Sequence, residues 1–378
     1  IAFWRQLPGL VLVAPSHDPW LKQKYLDRIQ KLGATNRRML RDFVLLTFTE
    51  QNLRTYDVEM TRRVKPAATQ MAMGSMLAKI QFLDDVAGLH TSFEDAPYFR
   101  APLRGSSLSK QLAPFNPRNY SRRLQHESVF ASIVAAGEAI AEGLPPELKS
   151  KVPVPIHRVV ALSDLPMEWT MIDGEPLAFL TDVCRLPESP ITSLLAQYSR
   201  NQVQKVVVRP DILDSAMVVC GAPVGDRIHA RFEHVRALAV THRLPVRFVH
   251  CLSCADFMRE VETYRPSLLI VDTHGDFQAN EVGSVLQFGE EWLNGNQVVA
   301  MPRVPPLIFL SCCWGAPVYG CANTIAQAFF EAGALSVTTT FLPVGIDEGT
   351  LLYYRLLNNL KTAARTNLHR DWASFISH

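Results

Sequence analysis

The chain has 378 residues, 48% hydrophobic and 20% charged, with a formal charge of +2 from 38 Lys and Arg against 36 Asp and Glu. It is long enough for one large or two ordinary domains with a full core, and so small an excess charge implies no polyelectrolyte partner. The small basic clusters at Asn36-Arg37-Arg38 and Ser121-Arg122-Arg123 read more simply as solvated helix faces than as a nucleic-acid groove, so no direct nucleic-acid partner is expected.

Seven cysteines scattered through a large chain do not form a disulfide framework, and a reducing cytoplasmic setting is expected. Neither a signal-peptide pattern nor an apolar run long enough to span a bilayer is present, so no membrane partner is expected. The chain opens on Ile1 rather than Met, which suggests missing upstream residues.

In chain order, Gly9 to Ala14 suggests a short strand, Leu21 to Leu32 a helix, Phe43 to Phe48 a β-prone run and Met71 to Leu89 a second helix. From His90 to Tyr120 the prolines at 97, 102, 114 and 117 and Gly105-Ser106-Ser107 mark an irregular connection. A boundary there gives a mainly helical N-terminal region over residues 1–120, a possible sensor or docking segment, and a domain over 121–378. Ser128 to Ala141 is an amphipathic helix closed by Gly143 and Pro145-Pro146. Ile156 to Leu162 and a run ending at Cys184-Arg185 are strands.

From Met217 onward, short apolar strands alternate with helices. Met217–Cys220 is a strand, Ile228–His242 a helix, Arg247–His250 a strand and Ala255–Tyr264 a helix. Leu268–Val271 and Leu307–Leu310 are strands, followed by a helix over 323–332, a strand over 335–341 and a helix over 350–360. That alternation predicts an α/β fold with a mostly parallel sheet and helices on both faces. Sites in such sheets form at the carboxyl ends of the strands.

Two of those ends carry chemistry. Leu268–Val271 runs into Asp272-Thr273-His274-Gly275, and Leu307–Leu310 into Ser311-Cys312-Cys313-Trp314-Gly315. Neighbouring strands lie about 4.8 Å apart, so side chains just past their ends can meet. A thiol of ordinary pKa about 8.5 needs a base to attack a carbonyl at neutral pH, and an imidazole can take the proton and return it to the leaving group. The pattern makes Cys313 the candidate nucleophile and His274 its acid–base partner. The backbone N–H groups of Gly275 and Cys313 are the candidate oxyanion hole. Asp272 either orients His274 or points away from it. Singly, a cysteine and a histidine are more often packing residues; their joint position makes the pair worth pursuing.

These residues resemble a known family. Asp272-Thr273-His274-Gly275 and Leu310-Ser311-Cys312-Cys313 are similar to the His-Gly and Leu-Ser-Ala-Cys motifs of the CHAT proteases, relatives of caspases and separase. Ala161 to Glu168 resembles the family's strand with a Leu-Pro-x-Glu turn. Val219-Cys220-Gly221-Ala222-Pro223 resembles its Gly-x-Pro strand end, with Glu233 in the next helix. Leu335 to Val344, then Asp347, resembles its last strand and Pro-Val-x-Asp segment. The resemblance covers roughly Gln125 to Leu360. The chain departs from it in having Cys312 where Ala is usual, Trp314-Gly315-Ala316 after the nucleophile, and Gly345-Ile346 ahead of Asp347, one residue more than usual. Alignment on Leu-Ser-x-Cys selects Cys313, with Cys312 turned into the sheet.

The resemblance implies a caspase-like fold with its His/Cys-bearing half over 203–360. It also implies a cysteine endopeptidase that cuts a protein partner in a bacterial signalling or anti-phage pathway, under a regulatory sensor domain or subunit. The substrate would be an effector encoded nearby. It further implies that Asp347 recognises Arg or Lys before the cut, although a carboxylate at a helix N-terminus explains that residue equally well. The alternatives are a catalytically inactive α/β scaffold that docks a partner and a different thiol hydrolase. No cofactor and no metal are expected: His250-Cys251-x-x-Cys254 is half a zinc site without a second pair. Cys321 reads as packing, and Gly221 to Gly225 lacks the order of a phosphate-binding loop.

Overall fold

A computed structural model describes residues 44–47, 98–100, 105–117, 120, 126–144, 146, 158–162, 165–186, 208–278, 283–318, 324–366, 368–369 and 371–377. The strand expected over 9–14, the helices expected over 21–32 and 71–89, and Cys321 lie outside them, so the expectation of a mainly helical N-terminal region falls largely on residues not described. The chain divides into two compact units, one of residues 1–114 and 119–191, the other of 115–118 and 192–376. Residues 121–191 therefore cluster with the first unit, and the expected His/Cys-bearing half, 203–360, lies in the second from its first strand on.

The first unit holds a four-stranded parallel sheet in the order β2-β1-β3-β6, from β1 (Val44–Thr47), β2 (Tyr98–Arg100), β3 (Arg158–Leu162) and β6 (Asp182–Leu186). Helices α1 (Gly105–Leu112) and α2 (His126–Glu142) and the hairpin β4 (Met171–Ile172) and β5 (Glu175–Pro176) belong to it, as does the short helix α3 (Leu177–Leu180). Helix α2 packs on the turn Met167–Trp169 so closely that a side chain at Gly137 would strike the Trp169 carbonyl. Glu168, in that turn, accepts a hydrogen bond from Arg185 Nε at 2.9 Å.

The second unit is built on five parallel strands in the order β14-β13-β9-β7-β8. They are β7 (Ala216–Cys220), β8 (Arg247–His250), β9 (Leu268–Asp272), β13 (Leu307–Ser311) and β14 (Ser336–Thr338). Strands β7, β9 and β13 are buried at every position, because both faces of the sheet are covered. On one face Val218, Ile270 and Phe309 pack with α4 (Arg227–Thr241) and α8 (Ile346–Ala363) through Phe232, Val235, Tyr353 and Leu357. On the other, Val219, Val271 and Leu310 pack with α5 (Cys254–Tyr264) and α7 (Ile325–Glu331) through Phe257, Val261 and Phe329. Sheet order reverses between β7 and β9, so the crevice where such sheets take ligands lies beyond the carboxyl ends of those two strands.

Between β9 and β13 the chain inserts an antiparallel meander of β10 (Gly275–Gln278), β11 (Gly283–Phe288) and β12 (Glu291–Leu293), then α6 (Gly295–Val299) with an Asn294/Gln297 capping box. A last short helix, α9 (Trp372–Ser377), follows α8. Among the described residues, no helix is long and apolar enough to cross a membrane.

Candidate active site

Strands β9 and β13 run side by side with Asp272 opposite Ser311 at their carboxyl ends. The ladder carries one bond further, from Thr273 N to Ser311 O at 3.2 Å. His274 and Cys313 each lie two residues past that last pair, so the expected residues come off two adjacent strands at the same level. Gly275 closes the arrangement: a Cβ there would collide with the Cys313 carbonyl oxygen and approach Cys312 Cβ to 3.2 Å.

The two adjacent cysteines occupy different surroundings. Cys312 is buried in the core on the α5 and α7 face, with its Sγ 3.9 Å from Thr339 Oγ1, and burial pushes its thiol up to about 12. Cys313 is half-buried and its Sγ donates to the Val344 carbonyl at 3.7 Å. Burial likewise lifts Cys220 and Cys251 to about 12 and Cys254 to about 11, which keeps these thiols protonated and unreactive at neutral pH. None of the six described cysteines is in a disulfide.

Trp314, directly after Cys313, adopts a left-handed conformation with φ +56° while almost fully buried. A bulky residue there is strained by its Cβ. The turn is held by Ala316 N donating to Thr340 O at 3.0 Å and by Thr340 Oγ1 donating to Cys312 O at 2.6 Å.

The imidazole of His274 meets a carboxylate that the sequence did not single out. Its Nε2 lies 3.0 Å from Asp226 Oδ2. Asp226 is the N-cap of α4, and its Oδ1 accepts from Ile228 N at 2.7 Å. Burial raises the Asp226 carboxyl, but the hydrogen bonds from His274 and Ile228 and the charges of His274 and Arg227 outweigh it and hold the group below its ordinary value. The available sequence signal was an acidic residue at a helix start, just after a strand-end loop.

Asp272, expected as a possible partner of His274, is placed differently. Strand β9 ends at Asp272, so the same-face alternation that would align 272 with 274 stops there. The carboxyl is buried on the α8 face, where Tyr353 and Ser311 approach it. Burial raises it to about 7, against the lowering effect of those neighbours and of the His274 charge.

Gln287 N donates to His274 O at 2.9 Å, which makes Gly275 and Leu286 a non-hydrogen-bonded pair of the antiparallel ladder. The Gly275 N–H is thereby directed away from β11. Asp347 lies in the first turn of α8, three residues after Val344, and is about half exposed. Arg231 Nε pairs with its Oδ1 at 2.6 Å and Arg227 Nη2 reaches its Oδ2 at 3.8 Å.

His250 Nε2 is 2.7 Å from Ala222 O, and Cys251 and Cys254 are core residues. Among the described residues, no group of three or more side chains is arranged to hold a metal. Gly221 serves close packing, since a side chain there would strike Gln287 O and Thr273 Oγ1. No protein-family model matches the chain, and no curated protein matches it.

Proposed function

We propose that the protein is a cysteine endopeptidase with Cys313 as nucleophile and His274 as general acid and base. The observation that carries this is the shared level of the two residues: each stands two positions past the Asp272–Ser311 pair, on adjacent parallel strands, with Gly275 against the Cys313 backbone. The burial of Cys312 and the partial exposure of Cys313 favour the latter as the reactive thiol.

The Cys313 thiol proton passes to His274, and the thiolate adds to the scissile carbonyl carbon. The oxyanion is met by the N–H groups of Gly275 and Cys313. Collapse breaks the C–N bond, the imidazolium proton goes to the leaving amine, and a thioester on Cys313 remains. Water, deprotonated by His274, attacks the thioester. The C–S bond breaks, the sulfur recovers its proton from the imidazolium, and the carboxylic product leaves.

The motif resemblance to CHAT proteases extends this reading to a protein substrate cut after a basic residue, with Asp347 as the recognising group. It also extends it to a caspase-like fold and a role in bacterial signalling or anti-phage defence under a sensor, and the scattered cysteines fit a cytoplasmic setting. Incubating wild type and Cys313→Ala with candidate partner proteins tests the reading. Discrete fragments with wild type alone are expected. A stable complex without cutting in either form would mark a docking scaffold instead, and hydrolysis of small amides without protein cleavage a different thiol hydrolase.

A further inference from the structure

We infer that Asp226, at the start of α4, is the positioning residue that fixes the orientation and tautomer of His274. This rests on the proposed His274–Cys313 pair and adds a third member to it. Asp226 is itself held from three sides: its Oδ1 accepts from Ile228 N, its backbone N donates to Pro223 O at 3.1 Å, and its carbonyl accepts from Ala230 N at 3.1 Å. The remaining oxygen, Oδ2, is the one that faces Nε2 of His274. The contact spans the point between β7 and β9 where the sheet order reverses.

An ionised carboxylate only accepts, so the imidazole donates from Nε2. That leaves Nδ1 as the basic nitrogen of neutral His274 and the one to receive the thiol proton. When the imidazolium forms, the fixed negative charge beside it stabilises it, as in other base–orienter pairs. The other acidic group near His274, Asp272 from β9, turns its carboxyl to the α8 face, toward Tyr353 and Ser311, and bears on the imidazole only at a distance and only when ionised. Arg227, next to Asp226, spreads its guanidinium toward Asp347.

The test separates orientation from capping. Asp226→Ser keeps a side-chain oxygen suited to an N-cap but removes the charge; Asp226→Asn keeps the shape. The tautomer of His274 would be read from its ring-nitrogen chemical shifts by NMR, with His274→Ala for assignment, and the alkylation of Cys313 by iodoacetamide followed against pH. In Asp226→Ser the melting temperature is expected to stay near that of wild type, while the neutral ring of His274 is no longer held in the form protonated at Nε2. Cys313 alkylation near neutral pH is expected to fall by roughly ten-fold. Asp226→Glu should recover part of both. An unchanged His274 tautomer in Asp226→Ser, with Cys313 alkylation also unchanged in Asp226→Ser and Asp226→Asn, overturns the inference and leaves the peptidase reading standing. Alkylation of Cys313 that is indifferent to His274→Ala overturns the peptidase reading, and the catalytic role of Asp226 with it.

Discussion

The α-carbon of Gly275 rests against the carbonyl of Cys313 with no room for a side chain between them. The obstacle is backbone rather than the end of a flexible side chain, so it cannot move aside without shifting the strand end that carries the thiol. Gly275→Ala is therefore expected to cost about 1–3 kcal/mol of stability by overpacking, seen as a fall of roughly 2–10 °C in melting temperature. The same change should slow alkylation of Cys313 by moving it relative to His274. A variant that melts and alkylates like wild type would show that 275 and 313 are not in contact.

Trp314 offers a cleaner measure of strain next to the thiol. Its left-handed backbone costs a residue with a Cβ about 1 kcal/mol or more. Both Trp314→Ala and Trp314→Gly lose the buried indole, a loss of about 3–5 kcal/mol. Only glycine also relieves the backbone. Trp314→Gly should therefore be more stable than Trp314→Ala by about 1 kcal/mol in urea unfolding, against the usual order in which glycine is the worse of the two. The usual order here would mean that φ at 314 is not left-handed.

Much of the second unit was legible, and the reason is burial. Strands β7, β9 and β13 are covered on both faces, so they read as unbroken apolar runs, and the residues ending them mark where chemistry collects. The strand expected over 335–341 shrinks to Ser336–Thr338, because Thr339 and Thr340 turn their hydroxyls to the carbonyls of Leu310 and Cys312. The helix expected over 350–360 starts earlier, at Ile346, where Asp347 and Glu348 suit a first turn that Gly345 and Gly349 had disguised. The meander β10-β11-β12 was missed: β11 is almost wholly buried and shows no alternation, and only the Gly289-Glu290 turn hinted at it. Asp226 was illegible as a partner of His274 because nothing local links residues 48 positions apart. Asp272 was credited with nearness in sequence that the end of β9 takes away.

The buried carboxyl of Asp272 gives the fold a definite pH dependence. Its pKa is raised to about 7 by burial, with Tyr353, Ser311 and His274 opposing. The folded protein thus keeps a proton that the unfolded chain releases near pH 4. The stability this contributes is complete below about pH 4 and is lost as pH rises through 7, a span of about 4 kcal/mol at most. Asp272→Asn removes the titration while keeping the shape. Denaturant unfolding at pH 5 and pH 8 should show wild type weakening over that interval and Asp272→Asn weakening by several-fold less. Parallel slopes would mean that Asp272 is ionised throughout.

Asp347 is already engaged, and that has a consequence for specificity. Arg231 pairs with it at 2.6 Å and Arg227 stands 3.8 Å away, all three side chains about half exposed or more. Such a solvated cluster contributes at most about 1 kcal/mol to stability, so Arg231→Ala should leave unfolding nearly unchanged. Its effect on substrates would be larger if Asp347 recognises a basic residue before the cut. An arginine from the substrate competes with Arg231 for the same oxygens. Removing Arg231 should then lower KM for Arg- or Lys-containing peptides several-fold, with little change in kcat, while peptides with a neutral residue at that position gain nothing. Asp347→Ala should erase the preference whether or not Arg231 is present. Should Arg231→Ala improve neutral and basic peptides alike, or should Asp347→Ala keep the preference, Asp347 is only the carboxylate that a helix N-terminus favours, and recognition of the substrate lies with other residues.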